Sequence, residues 1–234
     1  MMDAYNIPAI VIKASQKVQV GTWGLSLFHD FHSSITTAFL LTEPAYPDNK
    51  GSHFVLGPLV DELWKSIDAA PQLCTHPTFL PTVLLCIHIH RATDYCIWHG
   101  NKRVYDLEEQ MGVTRTGTLA KDSPQHFLEG KTVKKALENS WGMLVELNCR
   151  LTEIIFMIRV SEWHEGCVSV LLKSTEDISE MTSRHCEEVS NNVFEMLQYL
   201  QFTSKSLYDY NNEYKSRIQS QLDAVSTISL TCNY

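Results

Sequence analysis

No proline follows residue 124 and no glycine follows residue 166, so the last part of the chain lacks both residues that most readily end a helix. Within it, Val189, Val193, Met196, Leu200, Thr203, Leu207, Tyr210 and Tyr214 recur in alternating steps of four and three. That is the heptad spacing that keeps one edge of a helix apolar. Ile218, Leu222, Val225 and Ile228 extend it after an extra four-residue step, a stutter that locally relaxes a supercoil. Upstream, Leu137, Leu144, Leu147, Leu151, Ile154, Ile155, Ile158 and Val170 trace a second helical stripe. Each edge must be buried, and together they predict a long antiparallel helical hairpin. The same seam would serve a second chain, so a protein partner or self-association through the C-terminal helix is expected. Ser123 before Pro124 offers a helix start. Ser174 with Asp177 resembles a capping box, which allows a new helix there or one bent helix running through.

Residues 1–60 read differently. Short apolar or β-branched runs at 9–12, 18–20, 24–29 and 35–41 are separated by Gly, Ser, Asp and Asn, the pattern of a small set of strands. Residues 42–52 hold Pro44, Pro47, Asp48, Asn49 and Gly51 and read as a loop. Leu59, Leu63 and Ile67 suggest a short helix ending near Pro71. Residues 78–111 read as one or two helices with a stripe of Leu80, Leu84 and Ile87 and a break at Gly100 and Asn101; residues 112–122 read as a loop. The fold class expected is mainly α with a small N-terminal β portion (α+β). It comprises a mixed α/β part at 1–122 and the hairpin at 123–234, joined in one continuous domain.

Composition excludes several functions. A net charge of −8, from 27 acidic and 19 basic residues, opposes the phosphate neutralisation on which nucleic-acid affinity rests. Seven scattered cysteines fit free thiols in a reducing compartment better than a disulfide framework. The most apolar segment, 79–89, falls short of the ~20 residues that span a bilayer, and the N-terminus lacks a signal-peptide pattern. A cytoplasmic protein without a membrane span is expected.

Motifs for chemistry are absent: there is no Gly-x-Ser-x-Gly elbow, no Gly-x-Gly-x-x-Gly and no Walker pattern, so no catalytic residue, no cofactor and no enzymatic activity are expected. The densest ligand set is Cys74, His76, Cys86, His88, His90, Cys96 and His99. Cys86 with His90, and Cys96 with His99, would each share a helix face and grip zinc. Against this, His88 and His90 point to different sides of a helix, no Cys-x-x-Cys is present, and cysteines within apolar runs usually act as small core residues. A zinc-binding protein is thus the alternative reading, an uncharacterised helical scaffold another, and no metal ligand is assigned. Glu176, Asp177, Glu180, Glu187 and Glu188 have carboxylates for magnesium but read as a solvated helix face. Trp23, Trp64, Trp98, Trp141 and Trp163 read as core or interface anchors.

Two stretches carry a family resemblance. His76-Pro-Thr-Phe-Leu-Pro-Thr-Val-Leu-Leu85, followed by Leu107-Glu-Glu-Gln-Met-Gly-Val-Thr-Arg-Thr-Gly117, resembles the soluble region of fungal CorA-like magnesium transporters. The run from Leu200 through Lys215-Ser-Arg-Ile-Gln-Ser-Gln-Leu222 to Ile228 is similar to that family's stalk helix. The resemblance implies an N-terminal α/β part, a helical hairpin and, in full-length relatives, two transmembrane helices and a pentamer. This sequence stops at Tyr234 before any such helix and has no Gly-Met-Asn filter motif. The expectation is therefore a non-catalytic cytosolic domain related to a divalent-metal transporter, acting by protein contacts and conducting no ions itself.

Overall fold

The computed structural model describes residues 9–14, 20–30, 33, 35–42, 59–110, 140–181 and 187–231. Three antiparallel strands, β1 (Ala9–Lys13), β2 (Trp23–Asp30) and β3 (Ile35–Thr42), form a sheet in the order β1-β2-β3. Helix α1 (Leu59–Ala69) and a 3₁₀ turn (Pro71–Thr75) lead into α2 (Phe79–Asp94). A π-helical segment (Tyr95–Asn101) then joins α2 to α3 (Lys102–Gln110). Two long helices follow, α4 (Ser140–Met181) and α5 (Glu187–Thr231). Mainly helical architecture with a small N-terminal sheet is thus what the chain adopts.

The described residues cluster into two compact units, Met1–Thr93 with Val160–Leu207, and Asp94–Arg159 with Tyr208–Tyr234. The expected division at residue 122, the helix start at Ser123 and the strand residues Val18 and Gln19 lie outside the described residues.

In the first unit, Trp23, Leu25 and Leu27 on the inner face of β2 share one core with Val83, Leu84, Leu85 and Ile89 of α2, Val168 and Leu171 of α4, and Val193, Leu197 and Leu200 of α5. The α4 and α5 members lie at comparable distances on either side of the short connection at 182–186, which is the mark of a helix folding back antiparallel to its predecessor. Helix α2 is buried nearly all round, far beyond the stripe of Leu80, Leu84 and Ile87, because it lies at the centre of this core. Pro81 is tolerated because it sits in the first turn, where amides lack helical partners.

Both long helices run on a 4-3 repeat. Met143, Leu147, Arg150, Ile154, Met157, Ser161, His164, Val168, Leu171, Thr175 and Ile178 are buried in step along α4, with Ile158 and Val160 buried beside them, and Ile155 and Val170 turn outward. On α5 the buried positions are Ser190, Val193, Leu197, Leu200, Ser204, Leu207, Asn211, Tyr214, Ile218, Gln221, Leu222 and Val225. The predicted seam is corrected by one residue at alternate steps, since Met196, Thr203 and Tyr210 flank it and Leu197, Ser204 and Asn211 occupy it. After Tyr214 the predicted Ile218, Leu222 and Val225 are all buried, and Gln221 is buried with them, so the three-residue and the four-residue step after Ile218 are both occupied. The buried hydroxyl residues on these helices satisfy themselves within the helix. The Ser204 hydroxyl donates to the Leu200 carbonyl and that of Thr175 to the Leu171 carbonyl. Helix α4 passes straight through the predicted capping box; the Ser174 hydroxyl donates back to the Val170 carbonyl at 2.9 Å instead of capping a new helix.

In the second unit, Glu108 of α3 is buried and receives Arg217 Nη2 at 2.8 and 2.9 Å and Gln221 Nε2 at 2.6 Å. The break expected at Gly100 and Asn101 is the π segment: the backbone stays helical while adding a residue to the turn. Gly100 there packs against the Tyr214 ring, which an added methyl would approach to 3.6 Å.

Candidate functional site

The sheet has two faces with different chemistry. Alternation along β2 sends Trp23, Leu25, Leu27 and His29 inward and Gly24, Ser26 and Phe28 outward.

Beneath the inner face lies a set of buried histidines. His88 Nδ1 is 2.7 Å from His164 Nε2, linking α2 to α4. A backbone hydrogen bond to Gly21 favours the protonated His88 ring, so His88 is the donor there and its Nδ1 accepts from His164. His164 Nδ1 is left as a bare lone pair, buried and with no hydrogen-bond partner. Trp163 stands edge-on to His88, with ring centroids 5.4 Å apart, and Trp23 meets Trp163 at 6.1 Å.

A second chain of bonds runs from His76 Nδ1 to the Thr78 hydroxyl at 2.8 Å, on to the Thr175 hydroxyl at 2.9 Å and then to the Leu171 carbonyl. The Thr78 backbone N–H also donates to His76 Nδ1 at 3.3 Å, so that nitrogen is the acceptor and the Thr78 hydroxyl donates to it. The ring proton then sits on His76 Nε2, a buried donor without a hydrogen-bond partner. Burial holds His76 and His88 down at about 4, aided by His29 and Arg91 respectively, and sends His164 well below the usual histidine range. His29 is also lowered by burial, against the pull of Asp30, and its Nδ1 lies 2.8 Å from the Thr36 hydroxyl. All four rings are neutral and closed off from solvent, so they tie elements together and present no nucleophile or base to a substrate.

The predicted zinc set is not brought together. Cys74 and His90 are exposed, and Cys86 Sγ lies 4.0 Å from His90 Nδ1 at the surface. His76 and His88 face inward to the partners just described, because successive helical positions rotate by about 100°. Cys96 is buried with its thiol pushed up to about 12, and it bonds the Asn211 side chain. The His99 side chain lies outside the described residues. Among the described residues, no group of three His, Cys, Asp or Glu side chains is placed to hold a metal ion. Glu176, Asp177, Glu180, Glu187 and Glu188 are all exposed, as a solvated face should be.

The tryptophans divide. Trp23 and Trp163 belong to the core, whereas Trp64, Trp98 and Trp141 are 59%, 68% and 77% exposed, so the core reading fails for these three. Among the described residues, no helix is long and apolar enough to cross a membrane.

The outer face of the sheet is a feature that sequence reading missed. Antiparallel sheets with one buried face normally show polar residues on the other. Here the outward residues include Val11, Ile35, Phe39 and Leu41 at 74%, 60%, 77% and 78% exposure, with Phe28 at 42%. The register sets them in rows: Ala9, Phe28 and Thr37; Val11, Ser26 and Phe39; Lys13, Gly24 and Leu41; and Asp30 with Ile35 at the far end. The signal was present in the period-two pattern of β3, where ITTAFLLT places large apolar residues on both faces.

No family model, no curated protein and no solved structure matches this chain.

Proposed function

We propose that this chain is a non-catalytic helical module that works through contact with other proteins, using the outward face of its N-terminal sheet. The observation that carries this reading is the exposure of Val11, Ile35, Phe39 and Leu41 on one face. Contiguous exposed apolar surface is costly to solubility and marks contact sites. The α5 seam, the other surface expected to bind a partner, is taken up by burial within the chain. The enclosed histidines support the non-catalytic part, since they are buried and bond Gly21, Thr36, Thr78 and each other. A small sheet followed by long helices is also the arrangement implied by the likeness to CorA-like soluble regions, which supports kinship with a transporter's regulatory part.

Proximity labelling in living cells tests the contact role by comparing wild type with the Val11→Thr/Phe39→Thr pair, which keeps strand propensity and removes apolar surface. A defined set of neighbours lost in the double variant is expected. Identical sets for both proteins would refute a contact role for this face.

A further inference from the structure

We infer that the outer face of the sheet receives one amphipathic α-helix of a partner, laid along β2 with a large apolar side chain seated over Gly24. This inference rests on the contact reading above and names the kind of partner.

Size argues for a single helix. Eight residues of β2 at about 3.3 Å each make the face about 25 Å long, and three strands at about 4.8 Å spacing make it about 14 Å wide with side chains. That patch of roughly 350 Å² is well under the ~800 Å² per partner of a standard stable interface, so by itself it does not hold a stable dimer of this chain and suits a small, transient partner. A helix about 10 Å across and about 16 residues long, at 1.5 Å per residue, covers it.

Shape is the second argument. Gly24 sits in the central strand with Lys13 and Leu41 beside it in register, and a methyl added there would meet nothing within 4 Å. Glycine inside a strand weakens it and often marks a place where another group approaches closely. That open space admits the tip of a leucine or larger side chain projecting from the partner.

Charge sets the direction. Lys13 stands at the Gly24 end of the face, while Asp30, whose Oδ2 accepts from the Ser33 hydroxyl at 2.7 Å, stands at the other. A helix carries partial positive charge at its N-terminus and negative at its C-terminus. The partner helix therefore runs with its N-terminus at Asp30 and its C-terminus at Lys13.

The probe is a synthetic, end-blocked peptide of about 16 residues with leucines at i, i+3, i+4 and i+7 and Glu and Lys elsewhere. Its binding to the full chain is read by fluorescence anisotropy beside a peptide of the same composition with scattered leucines. Saturable binding of the patterned peptide alone is expected, at least about tenfold weaker in Gly24→Val and in Val11→Thr/Phe39→Thr, and unchanged in Phe202→Thr on α5. Gly24→Val is the decisive variant, because valine favours the strand, so lost binding in an equally stable protein reports the filled space. A spin label on the peptide N-terminus should broaden the NMR signals of Asp30 and Ile35 before those of Lys13 and Leu41. Equal binding of both peptides, an unaffected Gly24→Val, or a dimer abolished by Val11→Thr/Phe39→Thr in sedimentation would overturn the inference. If no peptide binds while the double variant still loses its neighbours in cells, the helical partner falls and the contact role stands.

Discussion

Acidification should destabilise this protein well before its carboxylates protonate, and the buried histidines set the size of the effect. His76 and His88 are held at about 4 in the folded chain, from an ordinary value of 6.5. Lowered histidines bind fewer protons folded than unfolded, so stability is greatest above the unfolded value and is lost as pH falls from there toward the folded value. Going from about pH 7 to about pH 5, each ring gives up roughly 2 kcal/mol, and complete acidification costs about 3 kcal/mol per ring. Together the two remove about 4 kcal/mol by about pH 5, a large part of a typical total of 5–15 kcal/mol. His164, lowered still further, adds a loss of the same sign. Urea unfolding followed by tryptophan fluorescence, with Trp23 and Trp163 beside His88, reads this directly. His76→Gln removes one titrating ring, so its stability difference between those two pH values should shrink by about 2 kcal/mol relative to wild type. Equal stability of wild type at both values, or an undiminished difference in His76→Gln, would refute the claim that enclosed neutral rings govern acid sensitivity.

Other perturbations follow from the same packing. Leu197→Ala empties a fully buried seam position and should cost about 2–5 kcal/mol in urea unfolding, whereas Met196→Ala beside it should cost less. Glu108→Ala strands Arg217 and Gln221 and should lower stability by about 2 kcal/mol, with Glu108→Gln recovering part of it. In timed alkylation read by mass spectrometry, Cys74 and Cys149 should react first among the cysteines of the described residues and Cys96 only on unfolding, because Cys96 is buried and its thiol is pushed up to about 12.

Much of the helical scaffold could be read from local pattern. Freedom from proline and glycine, joined to a four-three apolar repeat, requires a long helix at the C-terminal end, and α5 spans Glu187–Thr231. The turn-rich β-branched runs near the start likewise correspond to β1, β2 and β3 where those residues are described. Hydrophobic periodicity was less reliable at individual seam positions. It favoured Thr203 and Tyr210 over Ser204 and Asn211, because polar residues give no apolar signal even when they are the ones buried. The divergence of His88 and His90 expected from helical spacing holds, with His88 turned in and His90 out, but spacing did not say that His88 would meet His164.

By itself, then, the sequence determined that the chain is mainly helical, that two long helices carry buried edges and that a few strands precede them. These follow from interactions among residues within one or two turns of each other. Tertiary structure alone decided that His88 meets His164, that His76 reaches Thr175 through Thr78, and that an apolar sheet face is left outward around Gly24. Whether a polar group is satisfied, or an apolar one covered, depends on residues brought from far along the chain, and no local pattern encodes where those will lie.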